Sequence, residues 1–487
     1  MTAIFRERLR AAGLSSPMRH ARADLMSSGG SQAGLPRSSE FDPQLEAPTL
    51  RYDVVSDDLC HFDRYPPLLM LKRRETALFG TGLANPYFRV CDGVAGAEIT
   101  IEGRRCINYA SYNYLDLSGD RRVNEAAVAA IGRYGTSASA SRLASGERPI
   151  HRELEAQLAA TLGTEDALVF VSGHATNVTV IGHLLGRKDL VLHDELIHNS
   201  VLQGCILSGA HRVKIPHNDW AAADAYLAAH RGKFERVLLV IEGVYSMDGD
   251  MPDLPRFIEV KRRHKAFLMI DEAHSFGVLG ERGFGVGEHF GVAAADVDIW
   301  MGTLSKALAS CGGYIAGSRA LVQYLKYTTP GFLYSVGLSP ADAAAALAAL
   351  SLLHAEPERV ARLRRIAAYF LARAKARGLD TGHSAGSAVV PVVVGGSRVA
   401  LALSQALLAH GILAGPIIHP AVPESAARVR FFLGAAHTTE QVDDTIDAVG
   451  AALAALSGAG HARPKAAPPA WINAGYLMLE QVATRMV

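Results

Sequence analysis

The sequence holds no CxxC pair, and its five cysteines (Cys60, Cys91, Cys106, Cys205 and Cys311) are odd in number and widely spread. Such a set supplies neither a disulfide framework nor a zinc ribbon or redox dithiol. An excess of charge of one sign is lacking too. Lys and Arg number 49 against 48 Asp and Glu, a formal balance of +1, which argues against binding nucleic acid through bulk charge. Long apolar runs are absent: the most apolar windows, 343–353 and 448–456, are alanine-rich, too short to span a bilayer, and read as buried helices. The start, MTAIFRERLRAAG, places charge at Arg6, Glu7, Arg8 and Arg10 before any apolar stretch, unlike a secretory signal. No internal repeat stands out, and no metal site is expected. What remains is 49% hydrophobic and 20% charged over 487 residues, a globular composition. At about 150 residues per domain the length allows about three domains, and the expectation is a soluble cytoplasmic enzyme.

Residues 1–45 read as a flexible N-terminal arm, because SSGGSQAGLPRSSEFDPQ is rich in Ser, Gly and Pro; a docking element for a partner is the alternative. Residues 46–105 form an N-terminal segment whose EITIEGRRCINY stretch predicts a hairpin around Gly103. In 106–340, strand-like runs at 167–171, 190–192, 237–241, 267–270, 298–301 and 313–316 alternate with helical periodicity at 122–134, 150–162, 220–231 and 254–264. Runs apolar on both faces suit a parallel sheet, so the fold class is α/β with a mostly parallel central sheet. Residues 341–458 repeat the alternation on a smaller scale, with Pro357 breaking a long helical stretch, as a smaller C-terminal α/β domain. Residues 459–487 carry Pro464, Pro468 and Pro469 ahead of a short terminal helix.

Ligands of parallel sheets gather at the C-terminal ends of the strands. The sequence places polar groups there: Gly173 and His174, His198, Glu242, Asp271 with His274, and Thr303 with Lys306. Each has a commonplace reading by itself. A lysine in GTLSK is ordinarily solvated, Asp271 could cap the next helix, and His198 could be structural. Together they fit one chemistry. A lysine bonds an aldehyde cofactor, a carboxylate pairs with a pyridinium nitrogen, a histidine lies on the ring, and a glycine turn at a helix start holds phosphate. That is the inventory of a pyridoxal phosphate site, although the spacing of 35 residues between Asp271 and Lys306 does not itself bring them together.

In order along the chain, SYNYLDL, SRLASG, VSGHATN, IHNS, EGVYSMDGD, DEAHSFGVLGERGFG, GTLSKA and RVRF resemble the motifs of the α-oxoamine synthases, a branch of the fold-type I pyridoxal-phosphate enzymes. The resemblance runs from about residue 85 to 450. It implies a fold-type I transferase with pyridoxal 5'-phosphate as cofactor. The implied activity is a decarboxylating Claisen condensation of a small amino acid (serine, glycine or alanine) with an acyl thioester, on coenzyme A or an acyl carrier protein. A homodimer with shared active sites is implied as well. A simple aminotransferase and a non-catalytic partner subunit are the alternatives.

By motif match, Lys306 is the lysine bonded to the cofactor and the Cα-proton base, Asp271 faces the pyridine nitrogen, and His198 stacks on the ring. His274 and Ser246 meet the phenolic oxygen. Gly173 and His174 form the backbone phosphate cup, Thr303 adds a hydroxyl, and Ser335 reaches a phosphate across the dimer interface. Asn113 and Arg430 hold the amino-acid carboxylate, which suits a guanidinium fork. Arg428 would share a strand face with Arg430, so spacing does not separate the two, and the motif favours Arg430. For Asn113 a turn-forming role is the competing reading, and for Arg428 a surface position or a salt bridge. One departure stands out: many relatives carry a second arginine twelve positions before the carboxylate arginine, where this chain has Ile418, with His419 as a candidate substitute.

Overall fold

The computed structural model of the chain describes residues 56–80 and 82–458. The expected arm (1–45) and the terminal tail with its helix (459–487) lie outside the described residues. The chain divides into two compact units between Arg74 and Glu75. Among its described residues the first holds two 3-10 turns, Asp57–Leu59 and Phe62–Arg64, and the start of helix Pro66–Phe79.

The strands lie in the second unit. In chain order they are β1 (Cys91–Asp92), β2 (Glu98–Ile101), β3 (Arg104–Asn108), β4 (Asp166–Phe170), β5 (Leu190–Asp194), β6 (His211–Ile215) and β7 (Val237–Glu242), then β8 (Phe267–Asp271), β9 (Ile299–Thr303), β10 (Gly313–Gly317), β11 (Val389–Val393), β12 (Ile412–Leu413), β13 (Gly415–Ile417) and β14 (Arg428–Phe432). The central sheet has the order β4-β10-β9-β8-β7-β5-β6. Pairings from β9 to β6 are parallel, and only β10 runs against its neighbours. β5 and β7 are buried along their whole length. Their side chains alternate between two cores: Leu190, Leu192, Leu239 and Ile241 join one, while Val191, Leu238 and Val240 join the other. This is the period of two that covering helices on both faces impose. Each such buried aliphatic side chain contributes about 1.5–3 kcal/mol.

The expected hairpin forms, with Glu102 and Gly103 both at positive φ (51° and 76°) between β2 and β3. β3 then takes β12 in parallel, so the sheet β1-β2-β3-β12 combines the N-terminal hairpin with a strand from the last third of the chain. A third sheet, β11-β14-β13, is antiparallel. Helices Pro340–Ala355 and Glu358–Ala376 meet at Pro357, as the sequence predicts. Unpredicted elements include β6 and helices Asn199–Ser208 and Arg319–Thr328. β6 is an edge strand, and its exposed Arg212 and Lys214 erase the apolar pattern while protecting the edge.

Candidate active site

The C-terminal ends of β5, β7, β8 and β9 carry Asp194, Glu242, Asp271 and Thr303. Beyond β9 the chain turns back into β10 through a closed loop. Thr303 Oγ1 donates to the Gly312 carbonyl at 2.9 Å, Leu304 N–H donates to the same carbonyl at 2.9 Å, and Ser305 N–H donates to Thr303 Oγ1 at 3.2 Å. This loop holds Lys306 over the end of the sheet. Lys306 Nζ lies 2.7 Å from His274 Nε2, and His274 Nδ1 lies 2.7 Å from the Tyr114 hydroxyl. Burial drives the His274 pKa well below its ordinary value, with Lys306 and Arg430 adding to the effect. A neutral imidazole that accepts from the Lys306 ammonium at Nε2 carries its proton on Nδ1, which then donates to Tyr114. Burial also pulls the Lys306 ammonium down to about 8, against the opposing pull of Asp271 and Glu242.

Asp271 is buried at the end of β8. Its Oδ2 accepts from Asn177 Nδ2 at 2.8 Å and its Oδ1 from Ala273 N–H at 2.9 Å. Asn177 Nδ2 also donates to Ser200 Oγ at 2.9 Å, and Ser200 Oγ lies 2.7 Å from His198 Nδ1. One chain of hydrogen bonds therefore links the carboxylate to His198, whose own backbone N–H donates to Glu242 Oε1 at 2.6 Å. Burial holds His198 below its usual pKa, although Asp271 opposes this. Glu242 pairs in register with Asp271 across β7 and β8. Its pKa lies well above the carboxylate range through burial and the neighbouring Asp271 charge. The exposed His174 stands with its ring 6.2 Å from that of His198 at 80°.

The residues suit a flat, phosphate-bearing aldehyde. Gly173 opens the helix Gly173–Leu184. A Cβ there would meet Thr303 Oγ1 at 3.0 Å, and one on Gly313 would meet the Gly173 Cα at 2.6 Å, so a side chain at either position would fill the cradle. A buried carboxylate, an amine of depressed pKa and a ring-bearing histidine surround it. The donor set thus fits pyridoxal phosphate: Asp271 would face the ring nitrogen, Lys306 the aldehyde, and the Gly173 turn with Thr303 the phosphate.

Arg430 and Arg428 share a face of β14 but have different surroundings. Arg428 Nη1 pairs with Asp248 Oδ1 at 2.5 Å, and both are buried, so the salt-bridge reading holds for Arg428. Arg430 Nη1 donates to the Ser246 carbonyl at 2.7 Å, its guanidinium carbon lies 4.3 Å from the Phe432 ring centroid, and its buried Nε has no partner. Ser246 thus meets Arg430 through its backbone. Asn113 forms a turn: its Oδ1 accepts from Leu117 and Ser118 N–H at 2.9 and 3.1 Å, and its Nδ2 donates to the Ala95 carbonyl at 3.2 Å. It still lines a cavity of about 340 Å³ with Lys306 and Tyr112. Ser335, half-buried between the exposed Tyr334 and Val336, takes no part in this hydrogen-bond network. Sequence reasoning missed Tyr114, Asn177 and Ser200. The spacing of four between Gly173 and Asn177 was the available signal, since it sets both on one helix face.

Three comparisons extend the picture. The profile of the aminotransferase class I and II family matches residues 104–449. An 8-amino-7-oxononanoate synthase from Geobacter sulfurreducens is 43% identical over 364 residues, covering 74% of this chain and 92% of that protein. Another 8-amino-7-oxononanoate synthase, from Fervidobacterium nodosum, is 40% identical over 362 residues, covering 74% and 91%. Among solved structures, a serine palmitoyltransferase from Sphingomonas wittichii superimposes with a TM-score of 0.76 at 30% identity, covering 81% of this chain and 98% of that one. A serine palmitoyltransferase from S. paucimobilis with PLP and myriocin bound gives the same TM-score at 28% identity, covering 81% and 98%.

Proposed function

Because the chain belongs to the α-oxoamine synthases, PLP-dependent acyltransferases that condense an amino acid with an acyl thioester and release carbon dioxide, we propose that its amino acid is a small one, serine, glycine or alanine. What supports an amino-acid substrate is Lys306 Nζ paired with His274 near the half-buried Arg430, whose buried Nε has no partner. The acyl donor is a thioester of coenzyme A or of a carrier protein. The reading also makes the enzyme a cytoplasmic homodimer in which Ser335 reaches the phosphate bound in the other subunit. Among the described residues no helix is long and apolar enough to cross a membrane.

Bound pyridoxal phosphate supplies an electron sink for the charge left at the amino acid's Cα. The residues of this chain do the rest. Asp271 holds a facing ring nitrogen protonated, and Asn177 and the Ala273 N–H fix the carboxylate's orientation. Lys306 Nζ takes the Cα proton, and its pKa of about 8 suits an amine that must both hold and return a proton near neutrality. Arg430 grips the amino-acid carboxylate, with Asn113 alongside it, until that group leaves as carbon dioxide. His198, held by Ser200 and by Glu242 at its backbone, would lie over the ring of a bound cofactor. His174 and Ser246 complete the cofactor's surroundings. The test is a spectral titration of the PLP-loaded protein with glycine, L-alanine and L-serine in the absence of thioester. A saturable shift of the cofactor band by one of them supports the reading. A band that only larger or acidic amino acids shift would reject it.

A further inference from the structure

A second cavity, of about 260 Å³, adjoins the Lys306 cavity, and the two share Ala110, Tyr112 and Leu413 in their walls. Among the described residues its charged lining is Arg89 and Arg430, with no carboxylate among the rest. Two guanidiniums around one small space repel each other, and their burial is unfavourable until an anion joins them. Neither is neutralised from within the cavity. Arg430 meets the Ser246 carbonyl and leaves its buried Nε without a partner. The Arg89 side chain is 18% exposed, and its one carboxylate neighbour, Glu102, is 80% exposed with its oxygen 4.0 Å away. Gln405 helps fix the segment that carries Arg89, since its Oε1 accepts from the Ala84 N–H at 2.9 Å.

The geometry points to Arg89 as the second cation of the carboxylate site, sharing the amino-acid carboxylate with Arg430 across this cavity. The inference rests on the assignment of Arg430 above. It also accounts for the departure at Ile418, which is buried in the hydrophobic core while its neighbour Ile417 lines the same cavity. His419, the substitute suggested by sequence, does not line it; its backbone N–H donates to Ser397 Oγ at 3.3 Å. A positive charge lost from the strand region of the small domain is thus restored from the segment ahead of β1. Arg89 selects for a carboxylate and leaves the cofactor alone.

The test compares full-length, PLP-loaded wild type with Arg89→Met, which keeps the aliphatic stem, Arg89→Lys and Arg430→Met. Each is titrated with glycine, L-alanine and L-serine and with the matching carboxamides. Arg89→Met should retain the cofactor band, bind the acids about 10- to 100-fold more weakly, as for loss of a charge-assisted hydrogen bond, and bind the carboxamides unchanged. Arg89→Lys should recover part of the loss. Wild-type affinity of Arg89→Met for the acids would overturn the inference. So would an effect confined to the thioester KM, which would mean that the carboxylate belongs to the acyl donor. If Arg430→Met also keeps wild-type affinity, the assignment of Arg430 itself fails. If Arg430→Met weakens binding and Arg89→Met does not, Arg89 alone is rejected.

Discussion

Lys306 carries two separate predictions. Replacement by Ala removes the amine proposed to bond the cofactor and move the Cα proton, so steady turnover should fall by at least about 10³-fold, the scale of losing a positioned base and nucleophile. Turnover within tenfold of wild type would refute its role. The second follows from its depressed pKa. Only the neutral amine attacks the aldehyde, so uptake of pyridoxal phosphate by apo-protein should quicken with pH and level off above about 8. An unperturbed lysine would keep quickening to about pH 10.4. Stopped-flow absorbance between pH 6 and 10 distinguishes the two. At the same scale, the gathering of Lys306, Asp271, His274 and His198 at the strand ends was legible because their motifs carry them. Tyr114, Asn177 and Ser200 were not, because each acts through a partner distant in sequence: Tyr114 meets His274 across 160 residues, and Asn177 meets Asp271 across 94.

Strand β14 separates two arginines that sequence spacing leaves equivalent. Arg428 is neutralised by Asp248 in a buried pair, and removing one partner of such a pair costs about 3–5 kcal/mol. Arg428→Ala should therefore lower the melting temperature by several degrees, whereas Arg430→Ala should melt nearly as wild type and lose amino-acid affinity. Calorimetry and binding on both variants check the contrast. A second clamp holds Asp250, two residues after Asp248. His217 bridges Asp194 at 2.9 Å and Asp250 at 2.7 Å, and these carboxylates raise its pKa to about 10 despite burial. A folded-state pKa above the unfolded value of about 6.5 means stability that is complete below that pH and is lost as pH rises through about 10. Denaturant titrations from pH 6 to 10 should show that decline, and His217→Gln should flatten it. Most helices and buried strands were legible at this scale through their periodicity. β6, β12 and β13 were not, since edge placement or shortness removes the pattern.

The whole molecule sets the sheet's polar strand ends against loops drawn from distant parts of the chain. The proposed site draws Asp271 from β8, Lys306 from the loop after β9, Arg430 from β14, and Arg89 from the segment ahead of β1. Hydrophobic patterning specifies the sheet, but the meeting of these segments is a tertiary outcome that no local signal encodes. The pairing of β12 with β3 is one such event. As an α-oxoamine synthase, this assembly makes a carbon–carbon bond and expels carbon dioxide. To test that chemistry, the PLP-loaded protein is incubated with the amino acid that shifts its spectrum and an acyl thioester, and thiol, carbon dioxide and product are quantified together. One thiol and one carbon dioxide are expected for each α-amino ketone formed. Formation of an α-keto acid with neither thiol nor carbon dioxide released would contradict that chemistry and identify transamination instead.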